Sequence, residues 1–144
     1  MIGKWTGSYR YSGWLMRKLI PYIETRFEIN ISEFDGHTFK GTVQDDLSTG
    51  GTPGIGSIDG IISEYKIEFI KKMPIRASYL TSGKHLIEQG KKHPPIYYSG
   101  VFGPDLTEAG GKWRIKTGFA LVGFLPALRL PLRGEWTMAF QRQF

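Results

Sequence analysis

The sequence predicts an all-β protein, built as an eight-stranded antiparallel up-and-down barrel with short helical or irregular loops at its mouth. Apolar side chains recur at every second residue in most segments, which is the period of a strand, and a helical period is almost absent. Turn-forming Gly, Pro, Asp and Ser residues separate about eight such segments. Closing short strands into a barrel removes the exposed edges of the sheet, and a two-sheet sandwich is the alternative.

The clearest strand is YIETRFEINIS, where Ile23, Thr25, Phe27, Ile29 and Ile31 share one face and charged or polar residues share the other. The same alternation predicts strands in KWTGSYRY, HTFKGTVQD, YKIEFIK, KWRIK and EWTMAFQR. Two further segments, GSIDGII and PIYYSGVF, are apolar enough to be strands. Near residues 56–62 and 95–102, however, the pattern does not show which face is inward.

Length and composition bound the kind of protein. A chain of 144 residues suits one domain over residues 1–144. The absence of cysteine excludes a disulfide framework, a thiolate nucleophile and a cysteine-ligated zinc site. The first residues lack a secretory signal and no window is apolar enough to span a membrane, so we expect a cytoplasmic protein without a transmembrane segment.

The formal net charge of +6 raises the question of a nucleic-acid partner. The basic residues are spread along the chain and alternate with apolar ones instead of forming a dense run. We therefore expect a solvated basic surface and no nucleic-acid binding.

Up-and-down topology places alternate connections at the same end of the barrel. The long connections fall at one end, the mouth, and are residues 12–22, 46–55, 72–94 and 117–133. The connections at the opposite end, the base, are residues 33–36, 63–64 and 103–111. Long loops grouped at a barrel mouth are where ligand sites are built, so we expect a ligand site there.

Two mouth connections are hydrophobic. SGWLMRKLIPY favours a short amphipathic helix, with Ser12 as its cap and Pro21 as its stop. Residues 118–133 are interrupted by glycine and proline, which favours one or two helical turns and an extended piece. The two segments are expected to pack together as a lid, and the alternatives are a homodimer interface through 118–133 or a surface that touches lipid.

The segment GKW at residues 3–5 resembles the G-x-W signature of lipocalins and of the wider calycin group. The segments WTGSYRY, FKGTVQDD, GSIDG and YYSGVF also resemble small bacterial lipocalin-like proteins. The resemblance implies that Trp5 plugs the closed base of the barrel, with a basic residue near the end of the last strand packed across it. Arg142 falls on the inward face at that position, where it could stack on Trp5. The T-D-Y motif of core lipocalins is absent, and no ligand-binding residue is transferred from the family.

The candidate ligand-binding residues come from the inward faces of the predicted strands and from the mouth. Buried tyrosines need hydroxyl partners, which favours a cavity with a few polar anchors. Either Tyr97 or Tyr98 is expected to face inward, and Arg129 and Arg133 could anchor an anionic head group. The full candidate set is Tyr9, Tyr11, Phe27, Asp45, Tyr65, Phe69, Tyr97, Trp136, Arg129 and Arg133.

Asp45 is the one candidate for catalysis, since it continues the inward face of its strand near the mouth. The competing interpretation is an aspartate that is solvated or hydrogen-bonded in a turn with Asp46. His85, Glu88 and His93 match no metal-ligand spacing, so we predict no metal and no cofactor.

These observations lead to three functional hypotheses. The first is binding of a small hydrophobic or amphipathic, and in one version anionic, ligand inside the barrel. The second is a barrel-enclosed cyclase, isomerase or lyase that uses Asp45 and a tyrosine as acid and base. The third is an interaction protein that forms a homodimer through residues 118–133.

Overall fold

A computed structural model describes residues 1–13, 23–74, 76–79, 85–88, 94–115, 119–120, 129–130 and 133–141. For residues 76–79, 85–88, 119–120 and 129–130 only the backbone is described. The strands in these ranges are β1 (Gly3–Tyr11), β2 (Thr25–Phe34), β3 (Thr38–Asp45), β4 (Ile55–Ser63), β5 (Lys66–Lys72), β6 (Arg76–Tyr79), β7 (His85–Glu88), β8 (Ile96–Phe102), β9 (Glu108–Arg114), β10 (Phe119–Ala120), β11 (Arg129–Leu130) and β12 (Arg133–Phe140).

Eight of these strands form one closed antiparallel barrel, which confirms the predicted fold. The order around the barrel is β1, β2, β3, β4, β5, β8, β9 and β12, and β12 pairs back with β1 from Trp5–Phe140 to Tyr11–Gly134. Each barrel strand therefore follows its predecessor up or down the wall, and no barrel strand has an unpaired edge.

The connections divide between the two ends as predicted. Residues 12–24, 46–54, 73–95 and 115–132 join strands at the mouth, and residues 35–37, 64–65 and 103–107 join them at the base. Two of the mouth connections contain short strand pairs of their own, in which β6 pairs with β7 and β10 pairs with β11. The described helical piece is a 3₁₀ turn at Leu47–Thr49. The helix predicted after Ser12 falls on residues outside the described part of the chain.

Three groups of aromatic side chains lie along the length of the barrel interior. At the base Trp5 meets Phe102 and Phe140 edge-on, with ring centroids 6.0 and 5.2 Å apart. In the middle Phe69 stacks on Tyr98 at 4.6 Å. The remaining aromatic group lies at the mouth and forms part of the candidate site.

The structure decides the inward faces that the sequence left open. In β4 the inward residues include Ile58, and in β8 they are Ile96, Tyr98 and Phe102. The outward faces of the two strands carry Asp59 and Ile61 in β4 and Tyr97, Ser99 and Val101 in β8.

The prediction that residues 103–111 form a base connection is wrong, since β9 already begins at Glu108. Gly110 and Gly111 read as turn residues in the sequence, but they lie inside the barrel wall. A Cβ on Gly111 would overlap the carbonyl oxygen of Ser99, and one on Gly100 would lie 3.0 Å from Cζ2 of Trp136. These glycines are there because the backbones and the Trp136 indole approach closely.

Candidate functional site

The mouth end of the barrel interior is lined by four aromatic side chains. Tyr9 and Tyr11 each meet Trp113 edge-on, at centroid distances of 5.8 and 5.0 Å, and Tyr9 stacks on Phe27 at 6.4 Å. The Trp113 indole N–H donates to the carbonyl oxygen of Arg10, 3.0 Å away, so the ring is fixed to the wall. This group, which we call the mouth aromatics, forms an apolar wall with hydroxyl groups in it.

Asp45, the last residue of β3, lies buried among the mouth aromatics. Its side chain is 1 % exposed, and both carboxylate oxygens accept hydrogen bonds. Oδ1 accepts from Lys71 Nζ at 2.6 Å, and Oδ2 accepts from the Tyr9 hydroxyl at 3.3 Å and from the Thr52 backbone N–H at 3.1 Å. The competing interpretation expected Asp45 to be solvated or held in a turn with Asp46. The structure shows neither, because the carboxylate is buried and accepts from Lys71, Tyr9 and Thr52.

Lys71 supplies the cation that balances Asp45. It lies on β5 two residues after Phe69, so the strand period turns its side chain inward, where it is 2 % exposed. Its ammonium nitrogen is 4.8 Å from the centre of the Tyr9 ring and 5.7 Å from that of Phe27. A buried lysine tolerates this position because the carboxylate and the two ring faces replace much of its hydration.

The connection 46–54 folds over the cluster and is tied to it. Asp46 caps the 3₁₀ turn by accepting from the Ser48 backbone N–H, and Gly50 ends the turn in a left-handed conformation with φ 89°. Thr25 Oγ1 donates to the Thr49 carbonyl at 2.8 Å, and Thr52 donates its N–H to Asp45. The carboxylate thus joins three strands and one mouth loop at a single point.

The tyrosines beside this cluster keep their protons. Burial raises the pKa of Tyr9 well above its ordinary value, and the negative charge of Asp45 raises it further. Burial, followed by the same charge, raises the pKa of Tyr98 as well. Both phenols therefore stay protonated at neutral pH, and the single hydroxyl proton of Tyr9 is donated to Asp45 Oδ2.

Phe69 and Trp136, which were predicted to line the ligand site, lie in the middle of the barrel. Their ring centroids are 5.3 Å apart, and Tyr98 contacts both. The Trp136 indole N–H lies 3.1 Å from the carbonyl oxygens of Ser99 and Lys112. These residues form the packed floor under the mouth aromatics.

The inward placement of Tyr65 and the choice of Tyr97 are wrong. Tyr65 follows Glu64, which has a φ of 58°, in the two-residue turn between β4 and β5, and its side chain is 54 % exposed. The turn takes it out of the strand, so the alternation of β5 starts at Lys66. Tyr97 faces outward and the buried tyrosine of β8 is Tyr98, because β8 begins with the buried Ile96.

The basic residues that were predicted to lie at the site or at the base are not found together in the barrel interior. Arg133 begins β12 and lies exposed on the outer wall at the mouth end, so it does not line the interior. Arg129 pairs through its backbone with Ala120, and its side chain lies outside the described part, as does all of Arg142. Trp5 is buried at the base, where its indole N–H donates to the Met1 carbonyl at 3.0 Å.

Three residues were weighed as metal ligands. His93 and the side chains of His85 and Glu88 fall outside the description. Within the residues that are described, no group of three or more His, Cys, Asp or Glu side chains could hold a metal ion. In the same residues, no helix is long and apolar enough to cross a membrane.

Sequence reasoning missed Lys71 and Thr52. The signal for Lys71 was present, since it continues the alternation of Ile67 and Phe69. A lysine at the end of a strand is ordinarily solvated, however, and its carboxylate partner lies 26 residues away. Thr52 carried no signal, because its contact depends on how the mouth loop folds.

Comparison with protein families, with curated proteins and with solved structures finds no match to this chain. The function therefore has to be argued from the site itself.

Proposed function

We propose that the chain is a calycin-like binding protein that holds a small hydrophobic or amphipathic ligand at the mouth end of the barrel interior. The observation that carries this proposal is the buried ion pair of Asp45 and Lys71, set among the mouth aromatics. An apolar wall with a few convergent polar groups is the usual composition of a small-molecule site. A cytoplasmic location is part of the same proposal.

The Lys71 ammonium points to the chemistry of the ligand. Within the described residues, Asp45 Oδ1 is the oxygen that accepts a hydrogen bond from it, and its other neighbours are ring faces. A carboxylate or carbonyl oxygen is a stronger acceptor for an ammonium than a ring face is. An amphipathic molecule with an oxygen-bearing head group therefore fits better than a pure hydrocarbon.

Titration with dodecanoate, followed through the indole N–H signals in NMR spectra, tests the proposal. We expect the Trp113 signal to move and saturate, because that ring belongs to the mouth aromatics. The Trp5 signal is the internal control and should stay in place, since its ring is packed at the base. Absence of a saturable shift, or equal shifts of both signals, would exclude a mouth site.

Variants then test the role of the cation. The double variant Asp45→Asn/Lys71→Met removes both charges and should weaken dodecanoate binding by about tenfold or more, because a charge-assisted hydrogen bond is lost. Lys72→Met is the matched control, as Lys72 is the next residue of β5 and faces solvent. Equal affinities of wild type and double variant would remove Lys71 from the site.

A barrel-enclosed enzyme is the second candidate, and the Tyr9–Asp45 contact of 3.3 Å favours it. Asp45 and Tyr9 would act as base and acid, which requires Asp45 to release one of the partners that occupy both its oxygens. Mass spectrometry of copurifying small molecules distinguishes the two functions. An altered product pattern in Asp45→Asn protein supports catalysis, and an unchanged molecule supports binding.

The homodimer through residues 118–133 stays a prediction, since in this segment the structure describes Arg133 and only the backbone of 119–120 and 129–130. Light scattering that reports a monomer at high protein concentration would exclude it. The expected lack of nucleic-acid binding likewise remains to be measured.

A further inference from the structure

Charged residues on the outer wall of the described barrel face one another directly across strands with opposite signs in every case but one. The opposite pairs are Arg10 with Glu135, Glu33 with Lys40, Lys40 with Asp59, and Lys112 with Glu135. The exception is Arg114 with Arg133, the last residue of β9 and the first of β12. Like charges directly opposite each other destabilise a sheet, so this pair needs an explanation.

No carboxylate in the described part of the chain relieves the repulsion. Among the described side chains five ion pairs lie within 4.0 Å, and neither Arg114 nor Arg133 takes part in any of these five. Glu135, the nearest acid along β12, pairs with Arg10 at 3.2 Å. Both guanidinium groups are exposed at the mouth end of the outer wall.

Arg114 is held in place by an aromatic ring. Tyr97 lies opposite it on β8, and the guanidinium carbon is 5.8 Å from the ring centre. A guanidinium that contacts a ring with its face keeps its N–H edge for an anion. Lys112 precedes Arg114 by two residues on β9, so the strand period places it on the same outer face.

These side chains belong to one groove of about 1070 Å³ on the outer wall. The outward-facing strand residues of its described lining form two rows across six strands. The row nearer the mouth is Arg133, Arg114, Tyr97, Ile70, Asp59 and Lys40, and the second row is Glu135, Lys112, Ser99, Glu68, Ile61 and Thr38. Three of the four cations in these rows, Arg133, Arg114 and Lys112, lie at one end of the groove together with Glu135, and Lys40 lies at the other end. The apolar side chains lie between the two ends.

We propose that Arg114 and Arg133, together with Lys112 and Tyr97, bind the phosphate group of a phosphate monoester. Two arginine forks side by side offer bidentate hydrogen bonds to tetrahedral oxygens. Glu135 forms its ion pair with Arg10, at 3.2 Å, so Lys112, Arg114 and Arg133 leave three cations for a group that carries close to two negative charges at neutral pH. The site lies outside the barrel and does not depend on the interior ligand proposed above.

Calorimetric titration with phenyl phosphate at low ionic strength tests the site. Wild-type protein should bind it saturably, and Arg114→Gln and Arg133→Gln should each weaken binding by about tenfold. Lys66→Gln is the matched control, because it removes the same charge from an exposed residue at the base end of the wall. We expect this control to bind like wild type.

Vesicles of phosphatidylcholine with and without phosphatidic acid distinguish the source of the phosphate. If the protein binds phenyl phosphate but not the vesicles, the phosphate belongs to a soluble ester. If it also binds the phosphatidic-acid vesicles, and the arginine variants bind them less, the phosphate belongs to a lipid head group. The proposal is overturned if phenyl phosphate fails to bind, if both arginine variants bind it like wild type, or if Lys66→Gln weakens binding equally. Dodecanoate shifts of Trp113 should be the same in the arginine variants, which separates this test from that of the interior site.

Discussion

At the scale of single residues, the Asp45–Lys71 pair is the most consequential feature of the interior. Removing two charges from water is costly, and their attraction offsets that cost only with good geometry and further hydrogen bonds. Here Asp45 has those bonds from Tyr9 and Thr52, and Lys71 has two aromatic rings. The pair should therefore matter most when one partner is removed and the other stays buried.

Lys71→Met should lower the free energy of unfolding by about 3–5 kcal/mol, because it leaves a buried carboxylate without a cation. The double variant Asp45→Asn/Lys71→Met should lose less unfolding free energy than the single variant, since no net charge remains in the interior. Urea unfolding curves measure both.

The exposed Lys72→Met serves as control and should stay within about 0.5 kcal/mol of wild type. If Lys71→Met is no more costly than Lys72→Met, or if the double variant loses more than Lys71→Met alone, the ion pair is not an energetic unit.

Because of Tyr98, the free energy of unfolding should fall at alkaline pH. Its folded pKa is raised well above the value of 10.0, so above about pH 10 the unfolded chain loses the proton that the folded chain keeps. The stability from this group is complete below pH 10 and falls as the pH rises. Tyr98→Phe should therefore make the decline in unfolding free energy above pH 10 shallower, with Tyr9 accounting for part of what remains.

Urea unfolding over a pH series gives this slope. Ile67→Val, a core change without an ionisable group, should lower stability equally at every pH and is the control. An identical slope in wild type and Tyr98→Phe would contradict the assignment.

At the scale of elements, each barrel strand combines an alternating face with places where another backbone or ring must come close. β8 and β9 show this most clearly, because Gly100 lies opposite Gly111 in the register. The indole of Trp136 occupies the space next to Gly100. The large Trp136 side chain therefore fits in the core only because the strand next to it carries a glycine.

Gly111→Ala should destabilise the protein by about 2 kcal/mol or more, since its methyl group would overlap the Ser99 carbonyl oxygen. Gly103→Ala is the matched control in the neighbouring turn, where the nearest atom to the added methyl is 3.8 Å away. Thermal unfolding measures the difference. Equal melting temperatures of the two variants would show that the wall can move apart.

At the scale of the whole molecule, the two ends of the barrel differ in kind. The base has short turns and a closely packed Trp5, whereas the mouth has four long connections and the buried polar cluster. Up-and-down topology makes this division unavoidable once the connection lengths alternate. The interior site and the outer arginine pair both lie at the mouth end, on opposite sides of the same wall.

The fold class and the division between mouth and base could both be predicted from the amino-acid sequence. Both follow from local information, namely the two-residue period, the turn residues and the lengths of connections. The sequence also placed Tyr9, Phe27 and Asp45 on inward faces, because the alternation is uninterrupted in β1, in β2 as far as Ile31, and in β3. Its errors at Tyr65 and Tyr97 arose where a turn or a uniformly apolar strand hides the phase of that alternation.

The pairing of charged side chains became visible only in the folded barrel. Lys71 on β5 reaches Asp45 on β3 past the intervening strand β4, and Arg114 faces Arg133 because β9 pairs with β12 in one particular register. Such pairings join residues far apart in the chain, and no local period reports them. The physical reason is that burial and pairing energies depend on the closed barrel as a whole, while strand formation depends on each segment's own pattern.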